Sequence, residues 1–217
     1  MREVLRVLDL DAFERFLRLA AARTGQELNL SALASDAGIT QPTARHWLTA
    51  LRIGFLVTLL PPHHVSFRKR LRKAPKLHFL DTGLACYLLG IHDPTTLQNH
   101  PLRGPLFESF VVSELVKAFA NEGRDAPLFF WKDSRGREID IIIDLGNRLV
   151  PLEVKSGLTV ASDAMDGLRW WLDLPANPNR HGVLVHGGVE SYRSRNITVL
   201  PWFFSAGQSS SSSSRTP

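Results

Sequence analysis

Phe13, Phe16, Leu17 and Ala20 recur at helical spacing within residues 4–22, with Glu14, Arg15 and Arg18 between them. That pattern predicts an amphipathic helix, and Thr24-Gly25 ends it. Over residues 29–53, Leu33, Ala34 and Ala37 form the packing side of a short helix. Gly38 supplies a turn. Pro42 suits the start of the next helix, where a missing N–H costs nothing. Trp47, Leu48 and Leu51 give that second helix an inward stripe. Gly54 stops it, residues 55–60 read as a strand, and Pro61-Pro62 break the strand. This is a helix-turn-helix pattern leading to a winged-helix arrangement, whose second helix would enter a DNA major groove. It offers Gln41, Thr43, Arg45, His46 and Thr49 outward, a thin set of base-reading groups. A compact protein-interaction module is the alternative reading.

Further along, residues 77–80 suit a buried strand, and Asp81 can cap a helix starting near Thr82. His78 and Cys86 lack partners at ligand spacing and read as core residues. Residues 90–104 read as a loop and a domain boundary. Residues 105–120 are apolar nearly all round, which predicts a buried helix. Strands follow at 128–131, 138–145 and 149–154, then a helix at 161–174 and strands at 183–186 and 197–200. A helix, a three-strand meander and a helical crossover to a fourth strand predict an α/β domain with a mixed sheet. The expected organisation is therefore a mainly helical winged-helix domain over residues 1–76 and a connecting segment over 77–103. The α/β domain follows over 104–204, and a disordered serine-rich tail over 205–217.

Composition narrows the class. The chain has 217 residues, 44% of them apolar, enough for one large domain or two small ones. The net charge of +5 is compatible with an acidic partner such as nucleic acid. Cys86 is the single cysteine, which excludes an intrachain disulfide and a thiolate zinc cluster. The sequence holds no run of 18 apolar residues and no signal-peptide pattern, so a cytoplasmic protein with no membrane partner is expected. The densest charge run is Arg68, Lys69, Arg70, Arg72, Lys73 and Lys76. With Arg45 it could grip phosphates without reading sequence; a solvated wing and linker is the alternative.

The chemistry concentrates in residues 138–157. Two strands joined at Gly146-Asn147 carry Asp140 on the first and Glu153 and Lys155 on the second. Side chains at i and i+2 share a strand face, roughly 7 Å apart. Asp140, embedded in isoleucines, can lie beside them across the hairpin. Glu138 and Asp144 share its face by alternation. Glu108 sits among Phe107, Phe110 and Val111, where a carboxylate costs free energy unless paired. A metal or a lysine would be such a partner, and interaction with the helix dipole is the alternative. Two carboxylates, an ammonium and a further carboxylate suit Mg²⁺-assisted phosphodiester hydrolysis. A half-exposed sheet with alternating charges is the competing interpretation.

This order of elements, with Glu108, Asp140 and Glu153-Val154-Lys155, resembles the PD-(D/E)XK nuclease superfamily, the restriction-endonuclease-like fold. The phrases L-N-L-S-A-L-A-S-D-A-G-I-T, K-A-P-K-L-H-F-L-D-T-G-L-A, G-P-L-F-E-S-F-V-V-S-E-L and F-F-W-K-D-S-R-G-R-E-I-D bring the resemblance closer. Together they look like the C-terminal half of a prokaryotic AAA+ ATPase family, a winged helix followed by a nuclease-like domain of unknown function. The fold class so implied is a mixed-sheet restriction-endonuclease-like domain preceded by a winged helix. Members of that family carry an ATPase with a phosphate-binding loop. No G-x-x-x-x-G-K-[ST] occurs here, so no ATP site and no ATP hydrolysis are expected. A truncated or stand-alone C-terminal half is the matching expectation.

The resemblance implies catalytic roles for Glu108, Asp140, Glu153 and Lys155. Asp140 and Glu153 would ligate Mg²⁺ or Mn²⁺ with a backbone carbonyl near Val154. Lys155 would orient the nucleophile or stabilise the transition state, and Glu108 would act through water or a second ion. The expected partner is nucleic acid, in the first place DNA, with a protein partner or a second copy as alternatives. A non-catalytic binding module is the rival function.

Overall fold

The computed structural model describes residues 9–63, 74–175, 177 and 179–203. The first helix, α1 (Leu10–Ala21), starts where the Asp9 carboxylate accepts the Ala12 N–H at 2.9 Å. It buries Ala12, Phe16, Ala20 and Ala21 along one face. A two-residue strand, β1 (Gln26–Glu27), leads to α2 (Leu30–Ala37) and α3 (Gln41–Ile53). Asn29 and Thr40 cap the two helices. Gly38 takes φ of 70° between them, a left-handed conformation that suits a residue without a Cβ. Ala44, Trp47, Leu48 and Leu51 of α3 face inward, and Trp47 packs edge-on against Phe13 and Phe16.

Strand β2 (Val57–Leu60) pairs antiparallel with β3 (Lys76–Phe79), which also pairs with β1. The two helices predicted over 29–53 are present. The strand predicted from residue 55 begins at 57, because Phe55 takes a positive φ of 54° as the chain leaves α3.

Residues 77–103 are not an extended connection. Leu77 and Phe79 are fully buried in the core built on α1 and α3. Helix α4 (Thr82–Leu88) adds Ala85 and Leu88 to that core, and Asp81 caps it as expected. A short helix, α5 (Pro94–Asn99), occupies the predicted loop, started by the Asp93 cap and Pro94.

Helix α6 (Arg103–Asn121) joins the two halves. Leu106 packs in the first core, while Val111 and Val112 pack on a mixed sheet. That sheet runs β4 (Leu128–Lys132), β5 (Glu138–Asp144), β6 (Leu149–Lys155), β7 (Gly182–His186), β9 (Ile197–Pro201) and β8 (Tyr192–Ser194) in spatial order. β4, β5 and β6 form an antiparallel meander, and β7 and β9 run parallel to β6. Helix α7 (Asp166–Leu172) crosses between β6 and β7 and buries Leu168, Trp171 and Leu172 on the other sheet face. The protein is thus mixed α/β, with one sheet face covered by α6 and the other by α7. No helix among the described residues is long and apolar enough to cross a membrane.

Candidate active site

The site forms where β3, α6, β5 and β6 meet. On β3, Leu77 and Phe79 face the first core. Strand alternation turns Lys76 and His78 the other way, toward α6. There Lys76 Nζ lies 2.9 Å from Glu108 Oε1 and 2.5 Å from Glu138 Oε1. Lys76 is only 4% exposed and sits 5.5 Å from the centre of the Phe130 ring. The sequence grouped Lys76 with a basic run. The structure places it instead as the buried partner that Glu108 needed, because its register opposite Leu60 takes it into the sheet and away from solvent. Arg68, Lys69, Arg70, Arg72 and Lys73 lie outside the described residues.

Because α6 begins at Arg103, Glu108 lies in its second turn rather than its first. The helix dipole is therefore not its main counter-charge. The next residue, Ser109, donates to Pro105 O at 2.8 Å and lies 3.0 Å from His78 Nδ1 and 2.8 Å from Thr24 Oγ1. Thr24 Oγ1 in turn accepts the Phe79 N–H. With Ser109 donating to Pro105, His78 Nδ1 is the donor to Ser109. That leaves His78 Nε2 buried without a hydrogen bond, 3.8 Å from Glu108 Oε1. Burial, and then the charge on Lys76, press the His78 pKa down to about 3, so the imidazole is neutral.

A bulge in β5 shapes the other side of the site. Phe129 pairs with Ile142 but Trp131 pairs with Ile139, so Asp140 and Ile141 together oppose one residue, Phe130. Alternation fails across this point. Ile139 and Ile142 both enter the α7-side core, and Ile141 enters the α6-side core. Glu138 stays with the Lys76 cluster, but Asp144 falls out of phase and pairs with His63 at 3.4 Å. Asp144 is therefore not a member of the site, contrary to the face-sharing expected from unbroken alternation.

Asp140 accepts the Val154 N–H at 2.9 Å, a bond across the β5–β6 hairpin. Beyond the paired residues Ile141 and Leu152, this bond brings Asp140 next to Glu153. Glu153 is buried. Its Oε1 accepts Lys155 Nζ at 2.6 Å, and its Oε2 has no partner. Glu153 and Lys155 open onto a cavity of about 460 Å³ lined also by Ser156, Thr159, Asp163 and Ala164. Asp140, Glu153, Lys155 and Glu108, all picked out from the sequence, thus meet in one region. Lys76, Glu138 and His78 complete it.

The electrostatics follow from burial. Glu108 is pushed up to about 8, first by burial and then by the charge on Asp140, with Lys76 opposing. Glu153 is pushed up to about 7 by burial and by Asp140, with Lys155 opposing. Burial raises Asp140 as well. Burial acts to lower Lys76, but Glu108, Glu138 and Asp140 outweigh it and hold the ammonium above its ordinary value. Lys155 is likewise held up, with Glu153 outweighing its burial. Four carboxylates, Glu108, Glu138, Asp140 and Glu153, are set against the ammonium groups of Lys76 and Lys155, with Lys132 at the edge on Glu138, so the carboxylates are the groups left short of counter-charge.

Among the described residues, no three His, Cys, Asp or Glu side chains stand together as a metal-ligating group. Asp140 and Glu153 offer two carboxylates, and the buried Glu153 Oε2 has no hydrogen-bond partner. That donor set fits Mg²⁺ or Mn²⁺, which commonly bind through one or two carboxylates and keep several waters.

Family models match both halves of the chain. Residues 1–95 match a domain of unknown function (DUF8612), and residues 103–204 match a second (DUF4143). The chain is also similar to uncharacterized proteins of Mycobacterium bovis and Mycobacterium tuberculosis. Each is 34% identical over 131 residues, covering 60% of this chain and 29% of the relative. The aligned region thus spans under a third of the length of these curated relatives. No solved structure matches.

Proposed function

We propose that the chain is a metal-dependent phosphodiester hydrolase acting on nucleic acid, with a PD-(D/E)XK-type nuclease domain and a winged-helix domain that holds the substrate. The observation that carries this reading is the buried Glu153, with Lys155 on one oxygen and nothing on the other, beside Asp140. A carboxylate left open in a low-dielectric site favours a cation there. The element order supports it too: a helix carrying Glu108, a meander carrying Asp140 and Glu153-x-Lys155, then a helical crossover.

Asp140 and Glu153 would hold Mg²⁺ or Mn²⁺, which when bound acidifies a water and withdraws charge from the phosphate. The Val154 N–H fixes the Asp140 carboxylate. Lys155, partly exposed toward the cavity, donates to a phosphate oxygen as charge builds there. Glu108, held by Lys76, shapes the field at the same place.

On the first domain, Gln41, Arg45, His46 and Thr49 lie exposed along one side of α3. That face supports a second reading, in which the chain holds DNA or a protein partner without cleaving it. The test is incubation of single- and double-stranded DNA and RNA with Mn²⁺. Cleavage by the native chain that is lost in Asp140→Asn and Glu153→Gln is the expected result. Equal residual cleavage by native and variant chains, or none by either, overturns the hydrolase reading.

A further inference from the structure

The carboxylates of this site divide into two sets with different cations. Glu153 has Lys155 on one oxygen and an empty second oxygen, beside Asp140. Glu108 and Glu138 instead converge on Lys76 Nζ, at 2.9 and 2.5 Å. The second oxygen of Glu138 is also engaged, by Lys132 Nζ at 3.3 Å.

Lys76 comes from β3, whose neighbours Leu77 and Phe79 anchor it in the first core. The helix and sheet that carry Glu108, Glu138 and Asp140 do not supply this ammonium; another part of the chain inserts it. It is almost fully buried, with its ammonium over the Phe130 ring and between two carboxylates. A divalent ion at Glu108 would have to displace a buried ammonium that holds two carboxylates.

We infer that Lys76 is a built-in stand-in for a second cation: it fills the Glu108–Glu138 side of the site and leaves the Asp140–Glu153 side to take one divalent ion per chain. This inference rests on the metal-site reading above. Lys76 is a positioning residue, since it acts through the two glutamates, and its role is read in stoichiometry rather than in rate. A merely structural lysine would not change the number of ions bound.

The experiment is titration of the whole chain with Mn²⁺, following free Mn²⁺ by electron paramagnetic resonance. The native chain is expected to bind one ion. Lys76→Met frees Glu108 and one oxygen of Glu138 and is expected to bind two, while Lys76→Arg keeps the charge and stays at one. Should Lys76→Met fold only when Mn²⁺ is added, the freed carboxylates have taken an ion, as expected. Glu108→Gln, which retains an oxygen for Lys76, is expected to bind one ion. Two ions in the native chain, one in a folded Lys76→Met chain, or loss of the single ion in Glu108→Gln each overturn the inference. No ion in the native chain but one in Lys76→Met would sink the Asp140–Glu153 metal site while leaving the stand-in role of Lys76 intact. No ion in either chain overturns both.

Discussion

Lys76 Nζ lies 2.9 Å from Glu108 Oε1, joining a strand of the first core to the helix that covers the mixed sheet. Side-chain exposure is 5% for the lysine and 14% for the glutamate. Truncating one partner of such a buried pair costs about 3–5 kcal/mol, because the remaining charge is left without compensation. Lys76→Ala should therefore unfold at markedly lower urea than the native chain. The loss should shrink as pH falls from 8 to 5, where Glu108, pushed up to about 8, can take up a proton instead. Urea titrations at the two pH values, followed by circular dichroism, measure both effects. A variant as stable as the native chain at pH 8 would contradict the pairing.

Stability should pass through a maximum in mildly acidic solution. Glu108 and Glu153 have folded pKa values near 8 and 7, above their ordinary value of 4.5. Their contribution is full below about 4.5 and is lost as pH rises through 7 to 8. His78 has the opposite sign, with a folded value near 3 against an ordinary 6.5. Its contribution is present above 6.5 and lost as pH falls toward 3. Between about 4.5 and 6.5 the two effects oppose each other, and above 6.5 only the carboxylates act. The urea midpoint should accordingly fall between pH 6.5 and 8.5. Glu108→Gln should flatten that limb, and His78→Gln should flatten the acid limb. A midpoint that rises from pH 6.5 to 8.5 would refute these assignments.

Much of this site was readable from residue pattern, and the limits of that reading have physical causes. Glu153 and Lys155 stand two apart on a regular strand, so alternation places them together without further information. Asp140 was legible from its isoleucine neighbours, but the bulge beside it was not. One extra residue in β5 moved Asp144 out of the site. Glu108 announced its need for a partner, but the partner came from 32 residues earlier in the chain. Lys76 follows a run of basic residues, and local composition hides its pairing opposite Leu60. In the fold, the long helices showed clear periodicity. The six-residue α5 and three-residue β8 did not, being too short to display a period.

Mn²⁺ should stabilise the chain more at pH 8 than at pH 5.5. A cation binds the ionised carboxylates, so binding releases the proton that Glu153, pushed up to about 7, holds in its absence. At a hundredfold excess over Kd the gain is about 2.7 kcal/mol, or roughly 5–10 °C for a chain of this size. Differential scanning fluorimetry with and without Mn²⁺ reads this directly. Glu153→Gln should abolish the shift at both pH values, and Ca²⁺ serves as a non-redox comparison. A shift equal at the two pH values would mean that the ion binds elsewhere.

Arg45 and His46 should matter for binding and not for folding. Both are exposed on α3, whose Trp47 and Leu48 are buried. Arg45→Ala and His46→Ala should stay within about 0.5 kcal/mol of native stability. If α3 lies against duplex DNA, Arg45→Ala should weaken binding and reduce the salt slope by roughly one phosphate contact. Fluorescence anisotropy across a salt series tests this. An unchanged slope and affinity would take the DNA off this face.

Lys155→Ala separates chemistry from architecture most cleanly. The side chain is 41% exposed and contacts Glu153 alone among the described ion pairs. Its removal should leave the fold intact, which circular dichroism can confirm. It should also leave Mn²⁺ binding intact or tighter, since Glu153 then has both oxygens free for the ion. Cleavage should nonetheless fall by about 10²–10³, the scale for losing one donor aimed at developing negative charge. That combination, a retained ion with lost turnover, is the signature of a group acting on the phosphate. Loss of Mn²⁺ binding together with activity would mean that Lys155 organises the ligands instead, and full activity would remove it from the reaction altogether.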